Sequence, residues 1–413
     1  MMKAITIGVN YKCNLNCTFC VLDKNIKAAE ISVDDCKKNI DYAAQAGVET
    51  IIFSGYGETL LYPDIIEVIA YAVNKRVFKN ISLYTNALAL DEQMTENLLN
   101  IEENDVTRFR LFISATGYDY NVYNSFQNPY YKDVTFRDKV YKNVQYFINQ
   151  RNQNKVKIRA VIKYILADEN KHDFLDYCRF WEDKIDEIII TSLYPAFNQL
   201  QSFKSIVDKN YYNTKMTLCS FFKTGVDIAP NQDVLICCNG ACAVAKPIVG
   251  NLKKQTLSEV LNSKKYKDYY KALEEFDVEN MPKCCLDCEF LFFNEYNIVV
   301  TYSSLKQYLE GLLNNKKIDK NEKIAFFGAG VILKRFLTAL DVVYDKRLFD
   351  YVIIDSFKEG RFANKDIQKP SKVILDERKI IICSDTYFDD INNSLNKLGV
   401  EGILYSNYLS KSA

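Results

Sequence analysis

The sequence predicts an α/β protein built mainly on parallel sheet, and three observations carry that prediction. Apolar, β-branched runs of strand length recur at 4–10, 49–54, 81–86, 109–114, 156–164 and 187–192. Such continuous runs suit strands buried on both faces. Between them, 34–46, 64–75, 92–103, 136–150 and 170–183 keep a helical period. After residue 322 the alternation restarts, with strands at 323–328, 351–355, 379–384 and 402–405 and helices at 331–340 and 389–398. Strands separated by helices read as βαβ units, which demand parallel pairing. Six units in the first half predict a curved sheet or open partial barrel, with its chemistry at the carboxyl ends of the strands.

The element ends carry local signals. Ser32 with Asp35 three residues on resembles a capping box, Gly47 is placed as a helix stop, and Pro63 fits the first turn of the next helix. From about 218 to 293 the rhythm changes to short strands, 225–228 and 234–237, and a helix near 258–273, with cysteines at both ends. At 413 residues the chain exceeds what one core usually serves. The expected division is a partial barrel over 1–215, a small α+β domain over 216–297, a linker helix over 298–322 and an α/β domain over 323–413. Within the linker, 298–313 reads as helix and 314–322 as a lysine-rich connection.

Charge narrows the function. Lys+Arg 53 balances Asp+Glu 53, so no global field draws in nucleic acid or an anionic membrane. No apolar run approaches the ~20 residues of a membrane span, and the first residues enter a strand pattern without a signal-peptide core. A cytoplasmic location is expected. The 13 cysteines stand out in such a chain, because disulfide scaffolds are normally small and secreted. Only one histidine, His172, is present, which excludes most His-ligated metal sites and His-based triads. If metal is bound, sulfur binds it.

Cys13-Asn14-Leu15-Asn16-Cys17-Thr18-Phe19-Cys20 is a C-x-x-x-C-x-x-C loop directly after the first strand. A [4Fe–4S] cluster ordinarily takes four thiolates, so three in one loop leave one iron open. A zinc loop with a remote fourth ligand is the other reading. The spacing, the position after the first strand and Phe19 before the third cysteine resemble the radical S-adenosylmethionine (SAM) enzymes. That resemblance implies a SAM-binding [4Fe–4S] cluster on Cys13, Cys17 and Cys20, SAM itself, and hydrogen abstraction by a 5′-deoxyadenosyl radical. It also implies a flavodoxin- or ferredoxin-type reductant.

Other segments agree with it. Ser54-Gly55-Tyr56-Gly57-Glu58-Thr59 follows the second strand and resembles the family's G-G-E-P segment, with Tyr56 inserted and Thr59 in place of proline. The resemblance makes Gly55, Gly57 and Glu58 candidates for the SAM amino group. Thr85 and Asn86, ending the third strand, and Ser114, ending the fourth, match positions that contact SAM; turn formation is the plainer reading of such residues. Arg159 is a candidate for the SAM carboxylate, since guanidinium binds carboxylate bidentately, with a structural ion pair as the equal alternative.

A second cysteine set follows. Cys219 precedes Cys237 by 18 residues, and Cys285-Leu286-Asp287-Cys288 comes much later. Cys238, Cys242 and Cys284 stand nearby, Cys238 could replace Cys237, and zinc is an alternative metal. The layout resembles the SPASM/twitch extensions of radical SAM enzymes. This implies a second, auxiliary [4Fe–4S] cluster on Cys219, Cys237, Cys285 and Cys288. No cysteine follows Cys288 until Cys383, so one auxiliary cluster is expected, acting as an electron acceptor. Cys36 and Cys178 fall in helical segments and read as buried small hydrophobes.

Gly328-Ala329-Gly330 after the strand at 323–328 is a G-x-G turn of Rossmann-like type, with Asp355 ending the next strand where a ribose hydroxyl would sit. Leu333 holds the place of the third glycine, so the fingerprint is incomplete. Nucleotide binding and a structural or substrate-presenting role are both open. The favoured function is a radical SAM oxidoreductase that dehydrogenates or epimerises a small-molecule or sugar-like substrate. Peptide modification is the alternative within the enzyme class, and a non-catalytic iron–sulfur electron-transfer or sensing protein is the alternative outside it.

Overall fold

The computed structural model describes residues 3–20, 30–54, 56–101, 104–127, 135–167, 169–192, 225–237, 247–275, 277, 279–282, 285, 299–303, 306, 323–330, 333, 337, 340, 350–362, 365–375, 377–383, 388–400 and 402–404. The chain divides into two compact units, Met1–Asn297 and Ile298–Ala413.

The first unit is a (β/α)6 partial barrel. Strands β1 (Ala4–Ile7), β2 (Thr50–Phe53), β3 (Asn80–Thr85), β4 (Arg108–Ser114), β5 (Arg159–Leu166) and β6 (Glu187–Ser192) are neighbours in chain order. Every pair among them is parallel. The intervening helices are α1 (Val33–Gln45), α2 (Ile65–Asn74), α3 (Glu92–Leu99), α4 (Tyr120–Gln127), α5 (Thr135–Gln153) and α6 (Phe174–Trp181). Ser32 caps α1 by accepting from the Asp35 amide at 3.1 Å, and Gly47 ends it at φ 69°, a conformation that favours glycine.

Strand alternation sorts the barrel's two faces. Tyr164 meets Phe174 and Tyr177 of α6 at ring separations of 5.0 and 4.7 Å, so its side of β5 lies beneath the helices. Phe174, Tyr177, Cys178 and Trp181 recur at helical spacing and are fully buried, the apolar stripe that docks α6. Burial of each such large side chain is worth about 1.5–3 kcal/mol. The opposite, interior face carries Thr6, Ile52, Ser82, Tyr84, Phe112, Ser114, Val161 and Lys163, the residues of alternate parity in register across β1–β5. Tyr84 and Phe112 stack there at 4.5 Å.

The strands of the cysteine-bearing segment, which the sequence reads as a small domain over 216–297, extend the barrel sheet. β7 (Gly225–Ile228) runs parallel to β1, and β8 (Asp233–Leu235) and β9 (Ile248–Asn251) add antiparallel strands. β1 would otherwise be an open strand edge with unsatisfied backbone groups. The expected helix at 258–273 is two helices, Leu257–Asn262 and Lys264–Glu275, broken at Ser263, whose backbone is extended.

In the second unit, β10 (Val299–Thr301) takes the first residues of the helix expected at 298–313, as a run of three β-branched residues favours; residues 302–303 and 306 are helical, and the rest of that span lies outside the described residues. The linker at 314–322 lies outside the described residues. A six-stranded sheet joins β11 (Lys323–Phe327), β12 (Asp350–Ile354), β13 (Arg361–Phe362), β14 (Lys365–Gln368), β15 (Lys379–Ile382) and β16 (Gly402–Leu404) in the order β13-β14-β12-β11-β15-β16. All pairs are parallel except β13 with β14. Chain order reverses on either side of β11, so the carboxyl end of β11, where Gly328 lies, is a topological switch point. Among the described residues no helix is long and apolar enough to cross a membrane.

Candidate active site

The site is assembled at the carboxyl ends of β1–β4. The chain leaving β1 becomes the cysteine loop, with Cys13 exposed, Cys17 and Cys20 half-buried, and none of the three in a disulfide. Leu15 is buried and anchors the loop from below. The Cys20 amide donates to the Cys17 carbonyl at 3.2 Å, which closes the turn between the last two thiols. Thr18 fastens the loop sideways: its amide and hydroxyl donate to the Phe126 carbonyl at 2.9 and 3.1 Å. Phe19 packs against Val122, Phe126, Ile165 and Ala167.

Glu58 is the central brace. Its side chain is buried, and burial raises its carboxyl above the ordinary value while three donors pull the other way. The Thr85 hydroxyl donates to Oε1 at 2.6 Å, the Leu60 amide to the same oxygen at 3.0 Å, and the Asn86 amide to Oε2 at 2.7 Å. Asn86 then reaches the cysteine loop, its Nδ2 donating to Asn14 Oδ1 at 2.8 Å. The Glu58 amide donates to the Lys12 carbonyl at 2.7 Å, and Asn10 Nδ2 donates to the Glu58 carbonyl at 3.1 Å. A Cβ on Gly57 would stand 2.3 Å from the Lys12 carbonyl oxygen, so only glycine lets the two loops lie this close.

Tyr56, the residue inserted into the glycine segment, reaches the other way. Its hydroxyl donates to Asp227 on β7 at 2.5 Å, and its ring packs with Tyr11, Ala229, Leu235 and Ile248. Gly8 leaves the space for that ring, since a Cβ there would fall 2.2 Å from Tyr56. Burial lifts the Asp227 carboxyl from 3.8 to about 8, with the Tyr56 bond lowering it and the Cys237 thiol raising it. The folded chain therefore holds a proton on Asp227 that the unfolded chain releases near pH 4. This contribution to stability is full below that pH and is lost as pH rises toward 8. An Asp227→Asn protein, unable to ionise, is expected to lack that decline; urea unfolding at pH 5 and pH 8 measures it, and parallel slopes in both proteins would refute it.

The other expected residues are placed as follows. Ser114 ends β4 on the interior face, and its carbonyl accepts from Gln127 Nε2 at 2.7 Å. Arg159 is not brought to the cysteine loop. It opens β5 at the amino end, largely exposed, and pairs with Glu187 at 3.2 Å. Gly55, Cys219, Cys288, Cys238, Cys242 and Cys284 lie outside the described residues. Cys237 follows β8 half-buried, and Cys285 is buried. Cys36, Cys178 and Cys383 are buried, and burial pushes the Cys36 thiol up to about 12, which keeps it from acting as a thiolate.

Asp355 is committed within its own domain. Oδ2 accepts from the Ala329 amide at 2.9 Å, and Oδ1 from the Phe357 and Lys358 amides, both at 2.9 Å. The carboxylate expected to meet a ribose hydroxyl closes the glycine turn itself.

Sequence reasoning missed the roles of Asn10, Asn14 and Thr18, and the helix that supports Thr18. α4 reads Tyr-Asn-Val-Tyr-Asn-Ser-Phe-Gln, with few strong helix formers, and is held by tertiary contacts. The donor set fits an iron–sulfur cluster: three thiols share one loop, with a fully buried carboxyl rather than a competing ligand beside them. Among the described residues no three Cys, His, Asp or Glu side chains converge on a single ion, and a cubane spreads its thiolates over separate irons.

Residues 7–180 match the radical SAM superfamily, and 219–289 match the SPASM iron–sulfur cluster-binding domain. The chain thus carries a radical SAM domain and a SPASM domain, and these domains bring SAM and [4Fe–4S] clusters, an auxiliary cluster included. Among characterised relatives, the chain is 33% identical over 93 residues to the PqqA peptide cyclase of Granulibacter bethesdensis, 22% of this chain and 24% of that one. It is 34% identical over 91 residues to the GTP 3′,8-cyclase of Chlorobaculum tepidum, 22% of this chain and 27% of that one. The chain thus spans about a quarter of the length of these curated relatives. The fold is similar to Streptococcus suis SuiB bound to SAM, with TM-score 0.53, 17% identity, and coverage of 70% of this chain and 71% of that one.

Proposed function

We propose that this chain is a radical SAM oxidoreductase that dehydrogenates or epimerises a small-molecule or sugar-like substrate. The Asn14–Asn86 bond carries the site reading, because it sets the three-thiol loop against the Glu58–Thr85 brace. Cys13, Cys17 and Cys20 would hold three irons of one cluster, leaving the fourth to SAM. Thr85, Asn86, Ser114 and the loop through Gly57 and Glu58 would line the cofactor. Bound there, cluster and SAM supply a 5′-deoxyadenosyl radical that takes a hydrogen atom from the substrate.

The chain's own contribution is placement. Thr18 and Phe19 pin the thiol loop to α4, and Glu58 spends its lone pairs fixing the ends of β2 and β3. Tyr84, Phe112 and Val161 make the adjoining interior apolar, which limits the water that could quench a radical. Cys219, Cys237, Cys285 and Cys288 would hold one auxiliary cluster with no open iron, suited to receiving an electron. A flavodoxin- or ferredoxin-type protein is the reductant.

Peptide modification is the second reading, favoured by the likeness to the PqqA peptide cyclase. Anaerobic reconstitution followed by reduction with SAM tests the first. About eight irons, two clusters' worth, and 5′-deoxyadenosine are expected; iron without SAM cleavage would refute the catalytic reading.

A further inference from the structure

We propose that Lys163 seats an anionic group, a carboxylate or phosphate, of the substrate. This rests on the radical SAM reading above and narrows its substrate class to an acidic small molecule or acidic sugar.

Lys163 lies on the interior face of β5, directly opposite Ser114 of β4 and Ile189 of β6. It has no hydrogen bond or ion pair with any described residue, and no carboxylate among them offsets its desolvation. Burial alone draws its ammonium below the ordinary lysine range. A half-buried ammonium with no counter-ion among the described residues is costly, and an arriving anion offsets that cost. Two other cations of this face are engaged elsewhere, Arg110 donating to Asn80 at 3.0 Å and Arg159 pairing with Glu187, and Arg108 opens β4 exposed at the amino end, far from the carboxyl rim. Lys163 stands four residues further along β5 than Arg159, about 13 Å nearer the carboxyl end.

Ser114, directly opposite on β4, is a proposed SAM contact, so the SAM-alone arm of the experiment below separates substrate from cofactor as the source of the anion. The SAM carboxylate would be held at the cysteine loop that follows β1. β5 is four strands from β1, at about 4.8 Å per strand along the sheet. Lys163 also sits three residues short of the end of its strand, on the interior face of the sheet. An anion there would orient a substrate carbon toward the cofactor.

Competitive labelling of the reconstituted full-length protein tests this. Trace acetic anhydride at pH 8, read by peptide mass spectrometry, gives the reactivity of Lys163 against exposed lysines such as Lys264. Phosphate or succinate bound at the ammonium raises its pKa, and one unit slows acetylation about tenfold. About tenfold protection by either anion, with none from SAM alone, is the expected result. Insensitivity of Lys163 to both anions would overturn the proposal, as would protection by SAM alone, which would assign the lysine to the cofactor. Absence of 5′-deoxyadenosine from the wild type would instead remove the radical SAM reading, a separate failure.

Discussion

A Cys17→Ala protein is expected to fold, to keep about half its iron, and to form no 5′-deoxyadenosine. The Cys17 side chain is half-buried on a loop, and the backbone contact there uses its carbonyl, which alanine keeps. Losing one of three loop thiolates should prevent a stable cluster at that site while an auxiliary cluster survives, so iron falls from about eight to about four per chain. Cys36→Ala is the control, because that thiol is buried in α1. Iron assay and chromatography of the SAM products measure both. Retained SAM cleavage in Cys17→Ala would show that the loop is not the cofactor site.

Glu58→Ala is expected to be the most destabilising single change at the site. It strands the Thr85 hydroxyl and the Leu60 and Asn86 amides in a buried place, at about 3 kcal/mol or more in total. Glu58→Gln keeps the shape but turns an amide N–H toward one of the three donors, costing about 1–3 kcal/mol. Urea unfolding should rank wild type above Gln above Ala. 5′-Deoxyadenosine formation should fall in the same order, since the brace aligns the loop. Equal midpoints for all three would show that the bonds around Glu58 contribute nothing.

The strands were legible because each is an apolar run between helical patterns, and the thiol loop because its spacing is rare. What the sequence concealed depends on partners distant along the chain. α4 lacks a strong helical pattern and exists through Phe126 against Phe19 and the Thr18 bonds. β13 and β14 are short and polar; β14 pairs along the edge that β12 offers, and β13 along β14. Tyr56 read as a departure from a glycine segment, although its reach to Asp227 spans 171 residues. On β5 the sequence drew attention to Arg159, because guanidinium suits a carboxylate. Only the strand register places that side chain at the far end and Lys163 opposite Ser114 near the carboxyl end.

β7 lying alongside β1 has a further consequence. A chain ending ahead of Gly225 would not be a smaller catalyst. The margin of β1 would become a template for a neighbouring copy, and gel filtration would find assemblies rather than monomers. The barrel and the segment that follows it must therefore be made, folded and inherited as one piece.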